Sequence, residues 1–147
     1  MLSNVKIREM SIRDHEALLS LLESTPGVTI READSLAATE RYLARNPGLS
    51  FVAVHEDEIV GCVMCDHDGR RGYLQHLVVA PGFRRQSIGR RLWVRCLDEL
   101  EKLGIQKTHI DVLVENDSAN QYWTKAGWVR RDDICRYSFI RSENKNV

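Results

Sequence analysis

The sequence predicts a single α/β domain, a mixed sheet with helices packed on it. Three observations carry this. Apolar runs of strand length occur at residues 5–9, 51–54, 59–65, 73–79 and 108–114. Segments with apolar residues three and four apart lie between and after them, at the helical period. Pro-Gly, Asn-Pro-Gly and lone-Gly breaks mark the boundaries. The 147 residues are enough for one full core without staples.

Residues 5–9 alternate like a short strand. Ser11-Ile12-Arg13-Asp14 then forms a capping box ahead of Ala17, Leu18, Leu21 and Leu22, the apolar face of a first helix. Thr25-Pro26-Gly27 stops it, and residues 35–45 predict a second helix that ends at Asn46-Pro47-Gly48. Residues 51–54 and 59–65 flank His55-Glu56-Asp57-Glu58, which reads as a hairpin. A longer turn spans residues 66–72, and residues 73–79 follow as a strand apolar on both faces at its end, as a central strand is.

Residues 88–103 predict a helix. At 100° per residue Ile88, Leu92, Trp93, Cys96, Leu97, Leu100 and Leu103 occupy one half of the wheel, and Arg90, Arg91, Arg95, Asp98, Glu101 and Lys102 the other. Gly104 ends it. A strand over 108–114, a short helix over 118–126 and a closing strand pair at 128–131 and 135–140 complete the chain, with a polar tail from Arg141 that frays.

Composition narrows the function. Twenty-one basic side chains balance 21 acidic ones, which argues against bulk attraction to nucleic acid or an acidic membrane. No apolar run approaches the roughly 20 residues that span a bilayer, and the start lacks the regions of a signal peptide. Cys62 and Cys65 have metal-knuckle spacing, but residues three apart on a strand face opposite sides and no second pair completes a site. No metal is expected, and the four cysteines read as reduced thiols of a cytoplasmic protein.

The informative stretch is residues 78–92. An apolar strand enters a Pro81-Gly82 turn, then an arginine-rich loop, then a helix that opens at once. That order gathers backbone N–H groups and the positive end of a helix dipole at one point, which suits a phosphate or diphosphate. An ordinary strand-to-helix connection with solvated arginines is the alternative. Arg84, Arg85, Arg90, Arg91 and Arg95 crowd this region of a neutral chain, which points to one small anionic ligand.

This element order, with a phosphate loop after the fourth strand, resembles the GNAT family of acyl-CoA-dependent N-acyltransferases. The family's loop pattern is Q/R-x-x-G-x-G/A, and Arg84-Arg85-Gln86-Ser87-Ile88-Gly89 matches it with Ser87 in place of the first glycine. A second family pattern, N-x-x-A followed by an aromatic pair and a Gly-aromatic, is met by Asn116-Asp117-Ser118-Ala119, Tyr122-Trp123 and Gly127-Trp128. The turn at residues 66–72 is similar to the glycine-rich G-H-D-G-R-R-G turn of one branch of the family.

The resemblance implies a single-domain fold around a twisted, mostly antiparallel sheet, with acetyl-CoA as co-substrate and a primary amine as acceptor. It implies that the amides of about Arg85 to Arg90 grip the diphosphate. The pantetheine arm lies along Leu77, Val78 and Val79, and an N–H near Leu77 or Val78 polarises the thioester carbonyl. Ser87 keeps the N–H and is a good helix-starting residue, so the site persists with some crowding. The carboxylate that relatives place on the fourth strand is absent near Tyr73. His76 and Gln75, expected on opposite faces, remain, and His76 is either the base or a satisfied core residue. The family's tyrosine acid aligns with Trp123, leaving Tyr122, about 100° round the helix, as the candidate donor. Trp123 is a possible wall of the thioester pocket, and Trp128 is packing. Asn116 either bonds the pantetheine amide or caps the helix.

No cysteine sits at a nucleophile position, so direct attack in a ternary complex is expected. Two rivals stand beside it: a non-catalytic acyl-CoA sensor, and a site for another phosphate-bearing ligand. The acceptor is expected near the first two helices and residues 25–33. A homodimer is possible, since dimers are common among relatives.

Overall fold

The computed structural model describes residues 4–147, in two units that meet in sequence at Ile110 and Asp111. The first carries five strands, β1 (Lys6–Glu9), β2 (Phe51–His55), β3 (Glu58–His67), β4 (Gly72–Val79) and β5 (Thr108–Ile110). It also carries three helices, α1 (His15–Glu23), α2 (Leu36–Arg45) and α3 (Ile88–Lys102). The sheet order is β1-β2-β3-β4-β5, antiparallel except for the parallel β4-β5 pair. The mixed, mostly antiparallel sheet is the one expected.

Local chemistry explains the elements. The Ser11 hydroxyl accepts from Arg13 N–H and the Asp14 carboxylate from Ser11 N–H, a capping box that starts a 3-10 turn leading into α1. Leu18, Leu21 and Leu22 are buried as the period requires, while Ala17 stays exposed. Ser35 caps α2 through Ala38 N–H at 3.2 Å. The β2-β3 hairpin turns on Glu56 and Asp57, both left-handed at φ 48° and 65°, the two-residue turn that matches strand twist.

Strand alternation divides the core between the two faces. Val52, Cys62, Met64 and Val78 pack with Met10, Leu18, Leu21 and Leu22 under α1, with Tyr42 and Leu43 of α2 against them. Phe51, Ala53, Val63 and Cys65 alternate with these and face α3. Gly61 belongs to that second face, where a Cβ would stand 3.3 Å from Leu92 Cδ1. On α3, Ile88, Leu92, Trp93, Cys96 and Leu100 are buried, Leu97 is half-buried, and Leu103 is exposed at the C-cap.

Several boundaries differ from the sequence reading. β3 and β4 extend into the expected turn, taking residues 66–67 and 72, because Asp68 Oδ1 accepts the Arg70 and Arg71 amides and so closes a tighter turn. Gly72 opens β4 because a Cβ there would lie 2.5 Å from Leu100 Cδ1 and 2.9 Å from Thr108 Oγ1.

β5 ends at Ile110 instead of reaching 114. The second unit, Asp111–Val147, contains one helix, α4 (Asp117–Lys125). The closing strands expected at 128–131 and 135–140 do not form. Alternation supplies only the side-chain half of a strand, and no ladder satisfies this backbone among the described residues. α4 begins one residue earlier than expected because Asn116, not Ser118, is its cap.

Candidate functional site

The site is built on β4 and the loop after it. β4 pairs with β3 from His67–Gly72 to Gly61–Val79, but with β5 only over Gly72, Tyr73 and Leu74. Among the described residues no strand pairs with the outer edge of β4 from residue 75 onward. An extended ligand arm with amide groups can add there as a strand would.

A bulge in β4 sets what that edge presents. Met64 pairs with Gln75 and Cys62 with Val78, so two steps on β3 match three on β4. The extra residue falls at His76, which is left-handed at φ 51°, a conformation that costs a non-glycine residue about 1–2 kcal/mol. Ahead of the bulge, Gly72 N–H points outward to Lys107 C=O at 3.0 Å. Beyond it, Ala80 N–H points inward to Val60 C=O at 2.8 Å. Because successive amides alternate between edges, Leu77 and Val79 N–H face the open edge and Val78 N–H faces β3. The bulge therefore reverses which residues present donors.

The same bulge corrects the expected side-chain directions. Gln75 and His76 do not face opposite ways; both reach toward α2 and the turn before it. Gln75 Nε2 donates to Asp66 Oδ2 at 3.1 Å and to Tyr42 Oη at 3.4 Å. The Tyr42 hydroxyl donates to Asp66 Oδ2 at 2.8 Å, and burial, with the Asp66 charge behind it, pushes that phenol well above its ordinary range. His76 Nε2 lies 2.7 Å from Asp34 Oδ1. The pairing of Asp34 with His76 is what the sequence reading missed. A signal was present: an Asp three residues after Arg31 repeats the Ser11–Asp14 spacing, and Asp34 Oδ2 does accept from Arg31 N–H at 2.8 Å.

The loop brings several main-chain amides together at the start of α3. A 3-10 turn at Pro81–Phe83 follows β4, then Arg85 and Ser87 are both left-handed at φ 64° and 63°. The first bond closing α3 runs from Arg91 N–H to Ser87 C=O at 2.9 Å, so the amides of Ile88, Gly89 and Arg90 precede the helical ladder. Ile88 is fully buried and anchors this turn, leaving its N–H as its contribution. Ser87 holds the N-cap position with no side-chain cap bond. Its role is thus not the helix-starting one expected of serine, because a left-handed N-cap turns the hydroxyl away from the amides it would accept.

The arginines are less of a clamp than their density suggested. Arg84 Nε donates to Val79 C=O at 3.0 Å, and Arg91 Nη2 donates to Val5 C=O at 3.0 Å. Arg90 lies over Trp93 at 5.1 Å, and Arg95 lies over Phe51 at 4.6 Å. Arg84, Arg90, Arg91 and Arg95 therefore each have a partner within the protein. Gln86 contributes a buried side-chain oxygen that no donor meets among the described residues.

The remaining expected site residues belong to the second unit. The Asn116 side-chain oxygen accepts from Ala119 N–H at 3.1 Å and from Ser118 Oγ at 3.3 Å, so it caps α4. Trp123 is buried, with the rings of Tyr122 at 5.1 Å and Trp128 at 4.7 Å. Tyr122 is exposed. No group of three His, Cys, Asp or Glu side chains among the described residues is placed to hold a metal, and no described helix is long and apolar enough to cross a membrane.

Comparison with known proteins fits this geometry. Residues 15–128 match the acetyltransferase (GNAT) family. The chain is 30% identical over 103 residues to N-alpha-acetyltransferase 30 of Schizosaccharomyces pombe, covering 66% of this chain and 69% of that protein. An acetyltransferase of Pectobacterium atrosepticum is 40% identical over 95 residues, covering 65% of this chain and 67% of that one. The fold is similar to the PaiA N-acetyltransferase of Thermoplasma acidophilum in complex with coenzyme A, with TM-score 0.74, 19% identity and coverage of 83% and 87%. Matched by the family over residues 15–128 and by relatives 30% and 40% identical to it, this chain belongs to the GNAT family of acetyltransferases.

Proposed function

We propose that the chain transfers the acetyl group of acetyl-CoA to a primary amine by direct attack in a ternary complex. The observation that carries this is the pairing of two backbone features, the open β4 edge beyond Leu74 and the amides of residues 88–90 at the start of α3. The diphosphate sits at those amides with Arg85, Gln86, Ser87 and Gly89 around it, and the pantetheine arm runs back along Leu77, Val78 and Val79. Leu77 N–H, turned to the outer edge by the bulge, polarises the thioester carbonyl and stabilises the oxyanion.

The proton balance is simple. An ammonium substrate gives one proton to His76 Nδ1, and the freed nitrogen lone pair attacks the thioester carbon. The C–S bond breaks with its electron pair on sulfur. The second nitrogen proton passes to the thiolate through water, and His76 later releases its proton to water.

The S. pombe relative is named for N-alpha acetylation, so peptide N termini head the acceptor classes to test, ahead of polyamines, amino acids and aminoglycosides. The test is release of coenzyme A thiol in the presence of each class. Turnover with one class supports the reading, whereas acetyl-CoA binding with no thiol release from any amine identifies a sensor. The family resemblance alone nominates Tyr122 as a proton donor, and a Tyr122→Phe variant with unchanged turnover at saturating acetyl-CoA removes that role.

A further inference from the structure

We propose that Asp34 is a positioning residue that fixes the His76 imidazole as the Nε2–H tautomer and so leaves Nδ1 free to take the acceptor's proton. This rests on the acetyl-transfer reading above and adds a residue to it.

The argument is geometric. His76 Nε2 and Asp34 Oδ1 are 2.7 Å apart, with side chains only 19% and 12% exposed, so little water competes for the contact. A carboxylate accepts hydrogen bonds and donates none, so the ring nitrogen facing it carries the hydrogen. The other ring nitrogen is then the basic one in neutral imidazole. Asp34 cannot swing away easily. Its second oxygen accepts Arg31 N–H at 2.8 Å, and its backbone carbonyl is 2.8 Å from His15 Nε2 on α1. The ring is equally constrained, since it leaves β4 from the left-handed residue of the bulge. Two independent devices, a bulge in the sheet and a capped turn before α2, thus converge on one imidazole. A buried His–Asp contact that merely ties the α1–α2 connection to the sheet is the competing explanation.

Asparagine separates the two. In Asp34→Asn the side-chain oxygen keeps the Arg31 amide, so the NH2 group faces Nε2. That nitrogen must then accept, and the proton moves to Nδ1. The turn survives while the base is lost. The expected loss in kcat is about a hundredfold, the scale of a misplaced general base, with KM for acetyl-CoA unchanged. His76→Asn removes the base at a residue type that tolerates the left-handed backbone. If Asp34 acts only through His76, the double variant loses no more than His76→Asn alone.

The tautomer is read directly by nitrogen NMR of histidine-labelled protein. Wild type should show His76 protonated at Nε2 with a bare Nδ1, and Asp34→Asn should show the reverse. A wild-type ring protonated at Nδ1 overturns the proposal without any substitution. So do an unmoved tautomer in Asp34→Asn, or losses that add in the double variant. If no amine is acetylated, the acetyl-transfer reading fails while the tautomer measurement still decides what Asp34 does to the ring.

Discussion

Cys62 donates its thiol hydrogen to the carbonyl of His76 at 3.2 Å. The bulge breaks the β3-β4 ladder at this carbonyl, and sulfur from the opposite strand fills the gap. Burial pushes the Cys62 thiol up to about 12, with the Val78 amide pulling it only part of the way back. A thiol that keeps its proton remains a donor, so the bulge and the placement of Leu77 N–H depend on a residue that takes no part in the chemistry.

Removing that donor should be costly. Cys62→Ala leaves the part-buried His76 carbonyl without its donor, which costs about 1 kcal/mol. A urea titration should show the midpoint falling with unchanged slope. An unshifted midpoint would mean that the carbonyl finds another partner.

Thiol reactivity should follow burial. Cys62, Cys65 and Cys96 are buried and Cys135 is exposed. Native protein at pH 8 should consume one equivalent of a small alkylating reagent promptly, and mass mapping should locate it on Cys135. Prompt labelling of Cys65 or Cys96 would show that the core opens far more readily than its packing allows.

Ser87 should be better as glycine. A left-handed non-glycine residue with no side-chain cap bond carries backbone strain. Ser87→Gly should raise stability by about 1 kcal/mol, read from chemical unfolding, and calorimetric titration should show tighter coenzyme A binding. Weaker binding would mean that the hydroxyl itself meets the ligand.

Acid should act partly through Asp14. Burial alone would raise its carboxyl, but the Arg8 guanidinium and the Ser11 amide outweigh burial and hold it below the usual range. Folding then binds fewer protons at this site than the unfolded chain does. The stabilisation is complete above the unfolded value of about 3.9. It is lost as pH falls through the lower folded value. Asp14→Asn should cost about 1 kcal/mol at pH 7, and its deficit against wild type should shrink as pH falls below about 3.9. A deficit constant from pH 7 to pH 2 would exclude the charge as its origin.

Much of this was legible in the chain because the signals were local. The Ser11–Asp14 box, the Leu18-Leu21-Leu22 face and the strand-loop-helix order at 78–92 each depend on neighbours within a few residues. What escaped depends on distant pairing. The His76 bulge exists because β3 advances two residues while β4 advances three, which neither strand shows alone. Asp34 is 42 residues from His76 in sequence, and Gly72 is dictated by Leu100 and Thr108. The strands expected after Gly127 show the reverse failure, a sound alternation with no partner backbone. Composition likewise does not reveal that Arg91 donates to Val5 and that Arg95 lies over Phe51.

Amide-resolved NMR during an acetyl-CoA titration asks most directly whether main-chain donors hold the ligand. Signals of Leu77, Val79 and the amides from Ser87 to Arg90 should move together and saturate at one common concentration. Saturable binding that leaves those amides unmoved and shifts another surface would contradict the assignment of this loop and edge as the donor site.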